Sequence, residues 1–417
     1  MVRPKPQIEP TSTPGKLPSG LLLGVVAVFV LMPATLPVTV LRGLVHDRFG
    51  VSEFATSVFM SINMVAALCA APWAGMLADR IGRQRRLLAG ALILDGLLFG
   101  AMTLDLPFGV FLTLRFFEGA SHITALSLLL SIAAETARRR GGRNGAILGM
   151  VGAGLTLGVA LGAPIGGVLG RVDALLPIRV AAGISLLLAA AALAFIPSLG
   201  SSSGRPGYRA ILAALREQRM LFVPWSYAFV DRFTVGFFTT TFTLWMKRVH
   251  DLPPDRIGLL LGLFLGPFSL LSYPFGKLSE RLSRTRMLAF GSLVYGAGLI
   301  GLGSLPLSAL PVAMVGLGVV SAVMFVPSLV LTAELVPSTV RSTALGGFNA
   351  AGSLGFVLGP LVGAGVSSTI ASAGGGTREA WADGYRLAFA TAGVAEVLCV
   401  LATWTALTRL RASGRTT

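Results

Sequence analysis

GMLADRIGRQRRLL, the stretch from Gly75 to Leu88, has a second copy 201 residues further along the chain, GKLSERLSRTRML from Gly276 to Leu288. The two copies share a leading glycine, an acid four residues later and arginines at three matching positions. Each copy is a short charged turn between long apolar runs. A polar turn repeated near the middle of each half of an apolar chain indicates two homologous halves.

The composition is that of a protein dissolved in lipid. Apolar residues make up 54% of the chain and charged residues 12%, about half the charged share usual in soluble domains. The 52 glycines suit membrane helices, in which small residues let backbones approach closely. No stretch between the apolar runs is long enough for a soluble catalytic domain. The composition therefore argues against an enzyme.

The net charge of +16 would suggest a nucleic-acid partner in a soluble protein. Here the basic residues lie in turns next to apolar spans, with few aromatic residues between them. The charge is therefore read as a signal for orientation in the membrane, and no nucleic-acid partner is expected.

Twelve apolar runs approach the roughly 20 residues that a helix needs to cross a bilayer. Because unpaired backbone groups are intolerable in lipid, and no alternating pattern appears, we expect helices and not barrel strands. The predicted fold is all-α, with twelve transmembrane helices in two pseudo-symmetric six-helix bundles. The predicted spans are 19–41, 54–76, 86–104, 108–132, 144–169, 175–196, 220–246, 256–277, 287–305, 309–332, 342–367 and 384–408.

An even number of spans places both termini on one side of the membrane. Of the 34 Lys and Arg residues, 23 fall in the tails and turns of that side and 9 in the opposite loops. The positive-inside rule therefore predicts cytoplasmic termini and a multi-pass protein of a bacterial inner membrane. The predicted divisions are a disordered tail (1–18), an N-terminal bundle (19–198), a linker with an amphipathic second half (199–219), a C-terminal bundle (220–408) and a tail (409–417).

Twelve spans in six-plus-six form, with this charged turn between the second and third, resemble the major facilitator superfamily over almost the whole chain. The resemblance implies that the turn is a cytoplasmic latch, whose ion pairs break when the two halves rock. The plainer alternative is a solvated basic turn that only orients the chain. The latch residues it implies are Gly75, Asp79, Arg80, Arg83 and Arg86, with Gly276, Glu280 and Arg284 in the second copy.

Glycines recur at helical spacing in the fifth and eleventh spans. Such ladders give grooves for close helix packing, and a proline beside them weakens the helix locally. The fifth-span pattern resembles that of the drug:proton antiporter branch, except that Ala163 separates Gly162 from Pro164. The ladder therefore favours export, although packing alone would also explain it. Its members are Gly149, Gly158, Gly162, Pro164, Gly166 and Gly167, and then Gly346, Gly355, Gly359, Pro360 and Gly363.

Charged residues inside spans are costly, and each is therefore a functional hypothesis. Arg115, Glu118 and His122 lie at i, i+3 and i+7, on one face of the fourth span. LRFFEGASH resembles the superfamily's fourth-span motif, which is linked to proton transfer, with Glu118 where glutamine is common. A buried carboxyl beside a guanidinium can exchange its proton as access alternates. We therefore expect proton coupling here. A static ion pair is the alternative.

Asp231 and Arg232 lie near the centre of the seventh span, about 100° apart on the helix, so at most one faces a central cavity. The resemblance places that span at the cavity, which makes Asp231 a candidate for substrate or proton binding. Asp95 and Glu396 lie in helices that are peripheral in the superfamily and rank lower. The expected cavity lining is Met32, Pro33, Pro37, Trp225, Tyr227, Asp231, Arg232 and Phe237.

The chain has no Gly-rich ATP-binding loop and no His or Cys cluster at metal-ligand spacing, so no cofactor or metal is expected. An ion gradient remains as the energy source. We predict a monomeric secondary transporter that works by alternating access, most simply exporting small amphipathic compounds against protons. Proton-coupled uptake or facilitated transport of a sugar or organic acid is the alternative. A further alternative, from a different functional class, is a membrane sensor or scaffold that transports nothing.

Overall fold

The computed structural model describes residues 18–80, 84–139, 144–197, 218–279, 281–336 and 341–412. These residues form an all-helical protein, which confirms the predicted fold class. The helices are α1 (Gly20–Thr35), α2 (Glu53–Arg80), α3 (Gln84–Ala101), α4 (Phe108–Arg139), α5 (Asn144–Gly170), α6 (Leu176–Phe195), α7 (Phe222–Gly236), α8 (Pro254–Leu278), α9 (Arg284–Leu302), α10 (Leu310–Glu334), α11 (Arg341–Ala373) and α12 (Arg378–Ala412). The linker proposed at 199–219 lies almost wholly outside the described residues.

Two helices continue beyond these limits in other helical forms. α1 passes into a 3₁₀ turn (Leu36–Val40) and a π-helical turn (Arg42–Asp47). α7 passes into a π-helical turn (Phe237–Phe242) and a last helical segment (Thr243–Arg248). Pro37 stands at the start of the 3₁₀ turn, where its missing N–H breaks the α-helical hydrogen-bond ladder. The two equivalent helices of the halves therefore deform at equivalent depths.

Ten of the described helices are long and apolar enough to cross a membrane. Of the other two, α3 carries three charged residues and α7 is interrupted by its π turn. Large apolar side chains such as Leu187, Leu270 and Val312 are more than 70% exposed, as expected of surfaces that face lipid. Several helices run past their predicted ends, and α4 reaches Arg139 instead of residue 132. Helices continue where polar residues leave the hydrocarbon, so apolar content alone underestimates their length.

The two halves repeat one packing pattern. In the N-terminal half α1 packs on α5, α2 on α4 and α3 on α6; in the C-terminal half α7 packs on α11, α8 on α10 and α9 on α12. Between the halves, α5 packs on α8 and α2 on α11. The repeat that was read from the charged turns is thus present in the helix neighbours as well.

The glycine ladders lie at the helix contacts that define each half. A side chain at Gly158 would overlap the backbone of α1 at Val28, and one at Gly355 would overlap the backbone of α7 at Phe229. Gly167 stands against Pro254 of α8, across the boundary between the halves. Glycine at these positions lets backbones touch.

The other ladder members behave similarly with two exceptions. Gly346 has open space where its side chain would begin, so it is not a packing glycine in this conformation. The surroundings of Gly149 lie outside the described part of the chain. The remaining contacts join Gly162 to Thr35, Gly166 to Leu36, Gly359 and Pro360 to the Phe233–Gly236 region, Gly363 to Thr241, and Pro164 to Gly258 and Gly262.

We name the two membrane faces by the chain ends: α1 begins and α12 ends on the terminus side, and the other face is the opposite side. Four hydrogen bonds or ion pairs between described residues join the halves. One is midway, from Ser61 to the carbonyl of Val357 (2.8 Å). The other three lie on the opposite side, and they join Glu53 to Arg248 and Tyr385, and Arg171 to Asp255.

Side-chain exposure on α1 and α7 falls from the terminus side to the opposite side. On α1, Leu21, Val25 and Phe29 are 70%, 46% and 40% exposed, and every residue from Leu36 to Leu41 is buried. On α7, exposure likewise falls from Phe222 at 48% to the buried segment 240–246. Both helices are therefore buried at the opposite side, where three contacts join the halves, and exposed towards the terminus side.

Candidate functional site

The first polar site lies inside the N-terminal half. Arg115 donates from Nη1 to Oε2 of Glu118 at 2.6 Å, one turn along α4, and both side chains are 0% exposed. The guanidinium lies over the ring of Phe59, 4.7 Å from its centroid. A buried pair of this kind is desolvated on every side, so losing either partner would leave a charge in hydrocarbon.

Three other helices complete this site, which we call the N-terminal cluster (Asn63, Asp95, Arg115, Glu118, His122 and Ser185). Asp95 of α3 accepts a hydrogen bond from Ser185 of α6 at 2.7 Å and lies 3.8 Å from Nδ1 of His122. Asn63 of α2 donates to Glu118 at 3.5 Å. Several buried atoms of the cluster lack a hydrogen-bond partner in the described structure: Asn63 Oδ1, Asp95 Oδ1, Glu118 Oε1 and His122 Nε2.

The charges of the N-terminal cluster do not balance without a proton. Two carboxylates face one guanidinium, so a negative charge is left over unless Asp95, Glu118 or His122 carries a proton. Ligand atoms of these three residues lie within 4.8 Å of one another, which is also a spacing that could hold a metal ion. Arg115 is in direct contact with Glu118, and the fixed positive charge of its guanidinium favours a proton over a metal ion in this cluster.

The fold brings together residues that the sequence treats separately. Asp95 lies on the peripheral helix α3, and its carboxylate reaches the face of α4 that holds His122. The sequence showed no cluster at metal-ligand spacing, because the three residues come from two helices that only folding brings together. The sequence does carry one indication of this site. An acidic residue in the middle of a span is energetically costly, and this holds for a peripheral helix as well as for a central one.

The C-terminal half holds a second set of buried carboxylates. Glu396 of α12 accepts hydrogen bonds from Ser292 of α9 at 2.9 Å and from Thr234 of α7 at 3.5 Å. Asp231 of α7 is 7% exposed, and its Oδ1 lacks a described hydrogen-bond partner. Tyr295 of α9 is fully buried as well. Glu396 therefore lies on the inward face of a peripheral helix, as Asp95 does.

Arg232 and Asp231 diverge, as adjacent helical residues must. Arg232 is the partly exposed one, and its guanidinium lies between the rings of Phe325 in α10 and Phe348 in α11, 5.6 Å and 5.5 Å from the centroids. The prediction favoured Asp231 for the cavity. In the structure Asp231 is buried, and Arg232 is the partly exposed residue of the two.

The predicted cavity lining is mostly internal packing in this conformation. Tyr227 accepts a hydrogen bond from Thr403 of α12, and Phe237 packs on Phe389 of the same helix, so both point into the C-terminal half. Trp225 is partly exposed and donates to the carbonyl of Ala344 in α11. The buried residues of the predicted set are Met32, Pro33, Pro37, Tyr227, Asp231 and Phe237. Composition identified the helices but not the rotation of each about its axis.

Much of the predicted latch lies outside the described residues. Arg83 and Glu280 are not described, and Gly75, Asp79 and Arg80 are described only as backbone of α2. Arg284 begins α9 and makes an ion pair of 2.5 Å with Glu334, the last residue of α10. This pair lies within the C-terminal half, so it ties neighbouring helices and not the two halves. Gly276 approaches Val326 of α10.

Sequence reasoning missed the contacts that close the opposite side, which we call the outer seal (Glu53, Arg248, Trp381 and Tyr385). Glu53 is 3% exposed, and its carboxylate accepts hydrogen bonds from Nη1 of Arg248 at 2.6 Å and from the hydroxyl of Tyr385 at 2.5 Å. The guanidinium of Arg248 lies 3.9 Å from the ring centroid of Trp381. An acid at the first residue of a span looks like an ordinary helix start, so nothing in the sequence distinguished it.

A family model described as Major Facilitator Superfamily matches residues 21–247 and 225–416. The chain belongs to the Major Facilitator Superfamily. The two matched segments together cover nearly the whole of both halves. A comparison with curated protein sequences found no significant match.

Solved structures of superfamily transporters share this fold. A bacterial homolog of the human lysosomal transporter Spinster, inward-facing and unoccupied, has a TM-score of 0.79 at 15% identity, over 93% of this chain and 96% of that one. The nucleoside transporter NupG has a TM-score of 0.74 at 13% identity, over 94% and 99%. A D-xylose-proton symporter has a TM-score of 0.69 at 14% identity, over 90% and 96%.

Membership in the Major Facilitator Superfamily makes this chain a multi-pass membrane transporter of small molecules and not an enzyme. Identities of 13–15% show the fold alone. The neighbours include transporters with different substrates, so the substrate must be argued from the site itself.

Proposed function

We propose that this transporter exports small amphipathic compounds in exchange for protons, by alternating access. The observation that carries the proposal is the N-terminal cluster, in which Asp95, Glu118 and His122 share one unbalanced charge beside Arg115. A proton is the smallest ion that removes this imbalance. Binding or release of the proton changes the net charge of a buried site. That change would favour a different position of α4 relative to α2 and α3.

The direction of transport follows from orientation and resemblance. If the terminus side is cytoplasmic, as the distribution of basic residues predicts, the exposed ends of α1 and α7 face the cytoplasm, and the contacts between Glu53, Arg248 and Tyr385 join the halves on the other side. A compound would enter from the cytoplasm, and the outer seal at Glu53 would have to break before its release. The glycine ladders resemble the exporting branch of the superfamily, which favours antiport. The chain would act as a monomer in a bacterial inner membrane, with the proton gradient as its only energy source.

The choice of amphipathic compounds rests on the polar groups available. A sugar needs many hydrogen-bonding side chains, whereas the spans hold few amides. Asn63 is one of them, and it is committed to Glu118 inside the N-terminal cluster. The exposed face of α1 offers Leu21, Val25 and Phe29, which suit an apolar surface.

The test uses purified protein in liposomes with a trapped pH-sensitive dye and an imposed pH gradient. A panel of cationic, neutral and anionic amphiphiles is added, and both proton and compound flux are followed. We expect at least one compound to move against the direction of proton flux. Glu118→Gln should still bind that compound but no longer couple it to protons. Asp383→Asn, which removes an exposed carboxylate outside the cluster, is the matched control.

Two results would overturn the proposal. One is a wild-type protein whose proton permeability ignores every compound in the panel. The other is a Glu118→Gln variant that couples compound and proton flux as well as the wild type does. If compound and protons move in the same direction, transport remains and antiport is wrong.

A further inference from the structure

The middles of the described helices hold six charged side chains, and five of them are buried. Those five, at most 7% exposed, are Asp95, Arg115, Glu118, Asp231 and Glu396. Arg232 is the partly exposed sixth. It lies on the partly exposed face of α7 that begins with Phe222, about 15 Å along the helix at 1.5 Å per residue. This places a partly exposed cation near the middle of the membrane.

The guanidinium of Arg232 is held in a fixed position. The rings of Phe325 and Phe348 flank it from α10 and α11. Gly352 of α11 leaves the space it occupies, because a side chain there would overlap Nη1 and Cζ of Arg232. Aromatic faces stabilise a cation without neutralising it. Phe325, Phe348 and Gly352 therefore hold the guanidinium in place and do not neutralise its charge.

No carboxylate balances this cation at contact distance within the described structure. Arg232 forms no ion pair within 4.0 Å there, and its buried Nη1 lacks a hydrogen-bond partner. The neighbouring Asp231 is buried, and its carboxylate makes no contact with the guanidinium within 4.0 Å. An unpaired charge at this depth is costly, and transporters place such residues where a substrate or ion supplies the partner. The group that the site lacks is an anion.

We infer that Arg232 recognises the negatively charged group of an amphiphilic organic anion, and that such anions are the substrate class of this transporter. The inference rests on the proposed transport function and narrows it. The planar guanidinium would bind a carboxylate or sulfonate through parallel hydrogen bonds. The apolar body of the compound would pack along the exposed face of α7, on Phe222 and Phe229, and on the ring of Phe325.

The test compares two probes with one apolar body. 1-Anilinonaphthalene-8-sulfonate carries a sulfonate that N-phenyl-1-naphthylamine lacks. Binding to the purified full chain is followed by quenching of tryptophan emission, against the same micelles without protein. We expect the wild type to bind the sulfonate at least about tenfold more tightly than the neutral probe, the ratio that one charge-assisted contact supplies.

The variants assign that preference to one residue. Arg232→Gln should lower the preference for the sulfonate about tenfold or more, and Arg232→Lys should keep part of it. Arg256→Gln removes an exposed arginine at the start of α8 and should change nothing. Should Arg232→Gln not fold, Gly352→Ala serves instead, because it displaces the guanidinium without removing its charge and should reduce the preference.

Equal binding of both probes by the wild type would overturn the inference. So would an unchanged preference in Arg232→Gln or, in its place, Gly352→Ala. The outcome is separable from that of the proposed function. Glu118→Gln should lose proton coupling and keep the preference for the sulfonate. A chain that exports only cations or neutral compounds against protons would keep the proposed function and lose this inference.

Discussion

The two halves carry the same charges in different arrangements. Among the described residues each half has two buried mid-span carboxylates and one mid-span guanidinium, and each joins an acid to a serine across equivalent helices. In the N-terminal half the acid is Asp95 on α3 and Ser185 lies on α6; in the C-terminal half Glu396 lies on α12 and Ser292 on α9. α3 corresponds to α9 and α6 to α12. The acid and the serine have therefore changed places between the two helices, and the hydrogen bond that joins the helices is present in both halves.

The guanidinium groups differ most. Arg115 is buried in an ion pair with Glu118 at 2.6 Å, whereas Arg232 is partly exposed between two rings and has no ion-pair partner among the described residues. This difference suggests a division of labour. The N-terminal half holds a closed site that can accept a proton, and the C-terminal half presents a charge that can accept a substrate. A symmetric fold therefore need not have symmetric chemistry.

The largest expected effect is a difference in protein stability between variants at the two arginines. Arg115→Leu leaves Glu118 buried without its partner and should destabilise the protein by about 3–5 kcal/mol. Arg232→Leu removes a cation that has no ion-pair partner in the described structure, so its cost should be about 1 kcal/mol or less. Thermal unfolding of both variants in one detergent measures the contrast.

The double variant Arg115→Leu/Glu118→Leu sharpens this first comparison. Removing both charges leaves no unpaired group, and stability should recover most of the loss. Equal losses for the two single variants would mean that Arg232 has a partner as strong as Glu118, and the comparison would fail.

The second prediction concerns the outer seal. Glu53→Gln weakens the contacts with Arg248 and Tyr385, and should shift the population about tenfold towards the state that is open on the opposite side. The labelling rate of Leu44→Cys, in a chain with Cys69→Ser and Cys399→Ser, reports this opening because Leu44 is fully buried here. Asp383→Asn lies on the same side and should leave the rate unchanged.

The smallest expected effect comes from the two serines. Ser185→Ala and Ser292→Ala each remove one hydrogen bond to a buried carboxylate, at a cost of about 1 kcal/mol in stability. Only Ser185→Ala should also move the pH at which transport is half-maximal, because only Asp95 belongs to the proton site. A shift of equal size in Ser292→Ala would place proton coupling in both halves.

The sequence predicted the parts of this structure that depend on composition and repetition. Twelve helices, two halves and the contacts of Gly158 and Gly355 all follow from apolar length and small-residue spacing. It did not predict which helix faces meet. It does not indicate that Asp95, on a peripheral helix, faces His122, or that Asp231 is buried and Arg232 partly exposed, because the rotation of each helix about its axis depends on packing with its neighbours.

The outer seal shows the same limit. Glu53, Arg248 and Tyr385 come from three helices that are far apart in the chain, and each residue alone resembles an ordinary helix end. Interactions between helix ends depend on the relative positions of whole bundles, and no local pattern encodes those positions.

The most direct test of the account is an infrared difference spectrum recorded when a transported compound is added to the purified protein. A carboxyl group that gains or loses a proton gives a band in the protonated-acid region. The account predicts that this band is lost in Glu118→Gln or Asp95→Asn and kept in Asp231→Asn and Glu396→Gln. A band that survives both N-terminal substitutions and disappears with a C-terminal one would contradict the assignment of proton coupling to the N-terminal half.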